Sequence, residues 1–264
     1  DKHCRRGLSM STLPKFDVLA FGSHPDDVEL CAGGTLAGMV RQGYRTGIVD
    51  LTAGELGSRG TIELRASEAA EAARILGASR RVNLGIPDGQ IDNTSDNRLK
   101  VIRELRATRP DLILIPAPDC RHPDHPAGAR LVADAVFQSG LVKIESFDDE
   151  GVQQDVWRPH HVLHYMQSIE FVPTLVVDVS ETWADRTRAV QAFSSQVFNP
   201  DYIAETDEPE TFISNPAFMQ WWEARAKNFG YRIGATYGEP FLYRHGPMGT
   251  DDLIGMLKKQ KPFR

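Results

Sequence analysis

The chain has 264 residues, with Lys+Arg 30 against Asp+Glu 36 and a formal charge of −6. That acidity excludes a general nucleic-acid binder, which needs a basic face. No run approaches the ~18 apolar residues of a membrane span, and mean hydropathy is −0.34.

The length allows one large domain or two small ones. Residues 1–10 carry Arg5 and Arg6 with no apolar run after them, so they do not read as a secretory signal. Residues 1–12 are expected to be a tail, with Met10 a candidate start, and residues 246–264 a second tail. Between them the first strand is expected at Phe16 to Phe21, and a helix at Asp27 to Gln42, closed by Gly43. Arg45 to Leu51 reads as the next strand. A glycine-rich loop, Thr52 to Gly60, leads to a helix with Thr61 as N-cap and Gly77 as C-cap. Its apolar positions Ile62, Ala66, Ala69, Ala73 and Leu76 keep near-helical spacing.

Arg81 to Leu84 and Asp111 to Ile115 read as strands, Asp96 to Thr108 and Ala127 to Ser139 as helices. Asp148 to Asp155 reads as a loop, His161 to Met166 and Leu175 to Val179 as strands, Glu181 to Ser195 and Ala217 to Gly230 as helices. The acidic, proline-bearing segment Asn199 to Pro216 is either a lid or a packed functional loop. The alternation predicts an α/β fold: a Rossmann-like, mostly parallel sheet with helices on both faces. We expect one domain, 13–245, with a C-terminal lid or extension. Ligands of such sheets bind beyond the carboxyl ends of the strands.

Three cysteines, Cys4, Cys31 and Cys120, are too few for a disulfide framework or a cysteine zinc knot. Free thiols in a reducing cytoplasm are expected, and any metal would be held by His and carboxylate. Two segments offer these: Ser23-His24-Pro25-Asp26-Asp27 and Arg121-His122-Pro123-Asp124-His125-Pro126. Each follows an apolar strand, so both emerge on one sheet edge. His24 and Asp27 are spaced i, i+3, as are His122 and His125, which puts each pair on one face of a helical turn. Such ligands suit Zn²⁺, and a catalytic site needs three of them with an open position for water. The surplus carboxylates exceed what a closed structural site requires and supply candidates for a base. Either segment alone is an ordinary Pro-Asp helix start; two at equivalent strand ends are not explained as caps.

Ala20 to Glu29 (AFGSHPDDVE) with Arg121 to His125 (RHPDH) resembles the LmbE-like, or PIG-L, family of zinc-dependent N-deacetylases. More narrowly, the chain is similar to the bacillithiol-biosynthesis deacetylases that act on N-acetylglucosaminyl malate. The likeness runs through Asp50-Leu51-Thr52, Gly60 to Arg65, Asn83-Leu84 and Pro87-Asp88, and more loosely to Tyr237. It implies that His24, Asp27 and His125 bind zinc and that Asp26 is the general base. It implies that His122 stabilises the oxyanion or protonates the leaving amine, and that Asp124 orients His122. It implies a small N-acetyl amino-sugar substrate and a homo-oligomer, while charge and hydropathy predict neither nucleic-acid nor membrane partners. Fe²⁺ or another divalent metal could occupy the same donors.

The resemblance also makes Arg65 a substrate-binding residue, the alternative being a helix salt bridge with Glu68. Glu55 and Arg59 are weaker candidates of that kind. Gly33-Gly34 lacks the spacing of a phosphate loop and reads as close helix–sheet packing. Cys120 reads as a pocket-lining spectator without a dedicated base. His160, His161 and His164 read as strand-edge residues, and Trp221, Trp222 and Phe229 as core or subunit interface. Phe218 stands where some family members are expected to carry a mobile tyrosine; Tyr202 or Tyr237 could supply a hydroxyl instead. The alternatives to the malate conjugate are thiol S-conjugates, chitobiose-type sugars, or a catalytically silent sugar- or metal-binding protein.

Overall fold

Short β-rich runs broken by glycine and proline build the sheet, and strand alternation decides what each face packs against. In the computed structural model the strands are β1 (Val18–Gly22), β2 (Thr46–Asp50), β3 (Arg80–Asn83), β4 (Leu112–Ile115), β5 (His161–Tyr165), β6 (Leu175–Asp178) and β7 (Gly238–Tyr243). The helices are α1 (Asp27–Arg41), α2 (Ile62–Leu76), α3 (Ser95–Thr108), α4 (Asp124–Ser139), α5 (Trp183–Gln191) and α6 (Phe218–Arg232). The structure describes residues 13–204, 207–244, 246, 251, 252, 254, 255 and 258. The expected tail over 1–12, with Cys4 and Met10, and most of 246–264 lie outside the described residues.

The sheet order is β3-β2-β1-β4-β5-β7-β6. The first five strands are parallel, while β7 runs antiparallel to both β5 and β6. Side chains alternate across it. Val18 and Ala20 join the core beneath α1, α2, α5 and α6; Leu19 and Phe21 join the core beneath α3 and α4. The expected mostly parallel sheet with helices on both faces is therefore what the chain forms.

The caps explain the helix limits. The Thr61 hydroxyl accepts from Leu64 N at the head of α2, and Gly77 closes it with φ 74, a left-handed conformation that costs glycine little. Three elements depart from expectation. Helix α4 starts at Asp124, three residues early, because proline is welcome at the head of a helix, where its missing N–H is not needed. Helix α5 is shorter than the Glu181–Ser195 expected. Strand β7 has no counterpart among the expected elements; its Gly238-Glu239-Pro240 start reads locally as a turn, and only the open slot between β5 and β6 makes it a strand.

Helix α1 carries an unusual insertion. Glu239, fully buried in β7, accepts from Gly34 N and Thr35 N at 2.8 Å each, in mid-helix. Arg186 of α5 pairs with Glu239 at 3.1 Å and donates to the carbonyls of Glu29 and Leu30. Trp222 Nε1 also donates to Leu30 O, and the guanidinium lies over the Trp222 ring, 4.3 Å from its centroid. A Cβ on Gly34 would meet Val179 Cβ at 2.8 Å, so close packing is the role of this glycine.

Candidate active site

Strand β1 lies between β2 and β4, so chain direction across the sheet switches there, and a crevice opens beyond the carboxyl ends of β1 and β4. The loop after β1 brings His24, Asp26 and Asp27; the loop after β4 brings Cys120 and His122, and the first turn of α4 brings Asp124 and His125. Ser23 Oγ donates to Asp124 O at 2.9 Å and ties the two segments together. The ring centroid of His24 lies 4.7 Å from that of His122 and 5.5 Å from that of His125. All of these residues except Ser23 and Asp124 border one cleft of about 390 Å³, a size suited to a small ligand.

Asp27 is the hub. Its Oδ1 is 3.2 Å from His125 Nε2 and its Oδ2 is 3.7 Å from His24 Nδ1. His24 Nε2 faces Asp88 at 3.0 Å and Asp124 at 3.3 Å, so it carries a proton toward these carboxylates and leaves Nδ1 as the ring nitrogen on the Asp27 side. His24, Asp27 and His125 thus offer the donor types that suit a divalent metal, and among the described residues the groups whose donor atoms all lie within 4.8 Å of one another are His24, His122 and His125, and His24, Asp88 and Asp124. Burial disfavours charge on His24, but hydrogen bonds to Asp124 and Asp88 carry its pKa up to about 9. His125 is also opposed by burial, yet Asp27 carries it up to about 10. Burial pushes Asp27 up, but the two imidazoles hold it well below the usual carboxylate range. The neighbouring carboxylates thus favour positive charge at the two imidazoles.

Asp26 has φ 114, a strained backbone for a side-chain-bearing residue. Arg65 holds it there: Nη2 lies 3.0 Å from Asp26 Oδ2 and 2.9 Å from Pro25 O, and Nη1 lies 3.3 Å from Gly54 O. Burial pushes the Asp26 pKa up to about 6, with Arg65 pulling against it. Arg65 thus faces Asp26 rather than Glu68, whose carboxylate binds Ser194 and Ser195.

Other expectations are corrected. The Asp124 carboxylate contacts His24 Nε2 and Gly89 N, not His122; it is the Asp124 backbone N–H that donates to His122 Nδ1, at 3.3 Å. The helix start at Asp124 turns its side chain across the crevice. That bond puts the proton of a neutral His122 on Nε2, and burial with the neighbouring imidazoles lowers its pKa. Glu55 and Arg59 do not border the cleft. Glu55 accepts from Ala53 N and Asp88 N, and Arg59 binds Ser195 O and pairs with Glu208. Tyr237 and Tyr202 also stand outside the cleft lining, bonded to Glu223 and Glu208. Phe218 does line it, with Thr211, Phe212 and Ile213 from the end of the Asn199–Pro216 segment. Cys120 lines it too, with its sulfur 2.9 Å from His125 Nδ1. His164 is buried and bonded to Pro116 O rather than at a strand edge. Trp222 and Phe229 are core, whereas Trp221 is exposed beside Phe212. Asp88, Gln167 and Arg225 join the site beyond the residues that the motifs single out. The Pro87-Asp88 pair is the one sequence signal among them.

Residues 19–136 match the family model described as PIG-L, GlcNAc-PI de-N-acetylase. A diacetylchitobiose deacetylase of Thermococcus kodakarensis is 30% identical over 207 residues, 73% of each chain. A 4-oxalmesaconate hydratase of Pseudomonas putida is 26% identical, over 74% of this chain and 79% of that one. The crystal structure of a conserved protein from Thermus thermophilus superposes with a TM-score of 0.77 at 36% identity, covering 89% of this chain and 98% of the other.

Proposed function

We propose, because this chain belongs to the PIG-L or LmbE-like family of deacetylases, that it removes the N-acetyl group from an N-acetylglucosaminyl conjugate by metal-dependent hydrolysis. The observation that carries the reading is Asp26, buried and strained beside the His24–Asp27–His125 cluster.

His24 Nδ1, Asp27 and His125 Nε2 would hold the metal, zinc or another divalent ion. When bound, it supplies Lewis acidity and brings the pKa of water toward ~7. Asp26 takes the proton of the attacking water; burial raises its pKa above that of an ordinary carboxylate, which suits it to accept the proton and then return it. His122 Nε2–H donates to the carbonyl oxygen as charge develops there. The proton held by Asp26 then passes to the leaving amine, and acetate departs.

Arg121 and Arg225 border the cleft and have no carboxylate partner among the described residues. They suit the carboxylates of a malate-type conjugate, and so offer the substrate-binding role that the resemblance gives to Arg65. The same pair favours a second reading, addition of water to an unsaturated oxo-carboxylate, in keeping with the hydratase relative.

Acetate release from a panel of N-acetylglucosaminides, including the malate conjugate and diacetylchitobiose, tests the first reading, each with and without chelator. Release from at least one substrate, lost with chelator and restored by zinc, is expected. No release from any, with hydration of an unsaturated oxo-carboxylate instead, establishes the second reading. Release that survives complete metal removal sinks the mechanism.

A further inference from the structure

The turn that follows β5, Met166-Gln167-Ser168, crosses the carboxyl edge of the sheet directly beneath the ligand cluster. Gln167 is 5% exposed and held at three points. Its Oε1 accepts from Ala117 N at 3.1 Å, and its backbone carbonyl accepts from Arg225 Nη1. An amide whose oxygen is committed to an N–H must present its NH₂ on the other side. That NH₂ donates to Asp27 Oδ1 at 3.0 Å. Asp27 Oδ2 accepts from His24 N at 3.0 Å, so each oxygen of the carboxylate has its own directed donor.

Ser168 reaches the other ligand through one atom. Its Oγ accepts from Arg121 N at 3.0 Å and stands 2.9 Å from Cys120 Sγ, which stands 2.9 Å from His125 Nδ1. When His125 uses Nε2 toward a metal, Nδ1 carries the proton and the sulfur accepts it. Metal-bound imidazoles nearly always have such an outer acceptor, usually a carboxylate or a carbonyl.

We propose that the Gln167–Ser168 turn positions the metal-ligand side chains, Gln167 acting directly on Asp27 and Ser168 acting through Cys120 on His125. This rests on the reading that His24, Asp27 and His125 hold a divalent metal. It gives Cys120 a task other than nucleophile or ligand.

The test is zinc affinity of the full chain by competition with a chromophoric chelator, alongside the melting midpoint of the metal-free protein. Gln167→Met keeps the bulk and removes the donor; it is expected to weaken zinc binding about 10–100-fold, the usual cost of losing an outer partner. Gln167→Glu keeps the acceptor for Ala117 N but sets a carboxylate against Asp27 in place of the donor; it is expected to change zinc affinity at least as much and to lower the midpoint of the metal-free protein, which Gln167→Met, adding no charge, is expected to lower less. Ser168→Ala and Cys120→Ala are expected to weaken zinc by a smaller factor. Cobalt-loaded wild type is expected to show no sulfur-to-metal charge-transfer band. Unchanged zinc affinity in both Gln167 variants, while Asp27→Ala abolishes tight binding, overturns the proposal and leaves the metal reading intact. Equal zinc affinity in wild type and Asp27→Ala overturns both. A charge-transfer band makes Cys120 a ligand and removes it from the positioning role.

Discussion

Glu239→Ala is the sharpest test of how the ligand helix is held. In the fold, Glu239 neutralises Arg186 and takes two amides of α1, all of them buried. Deleting the carboxylate leaves a guanidinium 3% exposed, with burial already lowering its pKa, and two N–H groups without their carboxylate. Removing one partner of a buried pair costs about 3–5 kcal/mol. An orphaned buried donor costs roughly 1–3 kcal/mol more, although neighbouring terms do not add in full. We expect a loss of about 4–6 kcal/mol, the upper pair value tempered by relaxation. At about 2–4 °C per kcal/mol for a domain of this size, the melting midpoint falls by roughly 10–20 °C. Urea unfolding followed by circular dichroism measures the free energy, and a cycle with Arg186→Met measures the coupling. The double variant should regain part of the loss, because the stranded charge is gone. A loss under about 1 kcal/mol, or strict additivity in the cycle, refutes the account of a charge-compensated insertion into α1.

Gly34→Ala should destabilise by about 1–3 kcal/mol in the same assay despite its better helix propensity, since the new methyl meets Val179 at 2.8 Å. Thr61→Ala should cost only about 1 kcal/mol, the value of one exposed N-cap bond. Asp26→Asn should bind zinc as the wild type does and lose about 10²–10⁴-fold in kcat; wild-type turnover would show that Asp26 is not the base. Arg65→Met should lower kcat about 10²-fold with smaller change in zinc affinity, because the clamp on the strained Asp26 is lost; a rise in KM alone would return Arg65 to substrate binding.

Strands β1 to β5 and their helices are legible in the sequence because alternation, caps and glycine stops act locally: Thr61 and Gly77 mark the two ends of α2 as expected. The gathering of these side chains is legible for a related reason, since His24, Asp27, His122 and His125 sit in two short motifs whose positions follow from strand polarity. What cannot be read depends on distant partners. Strand β7 exists because β5 and β6 leave a slot for it. Gln167 matters because Ala117 and Asp27 lie on either side of its amide. The Asp124 carboxylate turns to His24 instead of His122 because α4 begins one turn sooner than its apolar pattern suggests. Arg65 is expected at the right edge, but its partner, Asp26, lies 39 residues away.

The order of the strands has a kinetic meaning. Among the described residues strand β6 pairs only with β7, and β7 is the last strand of the sheet to leave the ribosome. During synthesis His24, Asp27, His122 and His125 emerge early, yet β6 waits with open edges, and α1 waits for Glu239, until α5 and α6 have both passed. Late, non-local pairing of this kind slows folding and prolongs the exposure of unpaired strands. A nascent chain of this protein therefore holds the imidazoles and carboxylates of both motifs well before it holds the scaffold that spaces them, and the cleft takes its final shape only when the last strand closes the sheet.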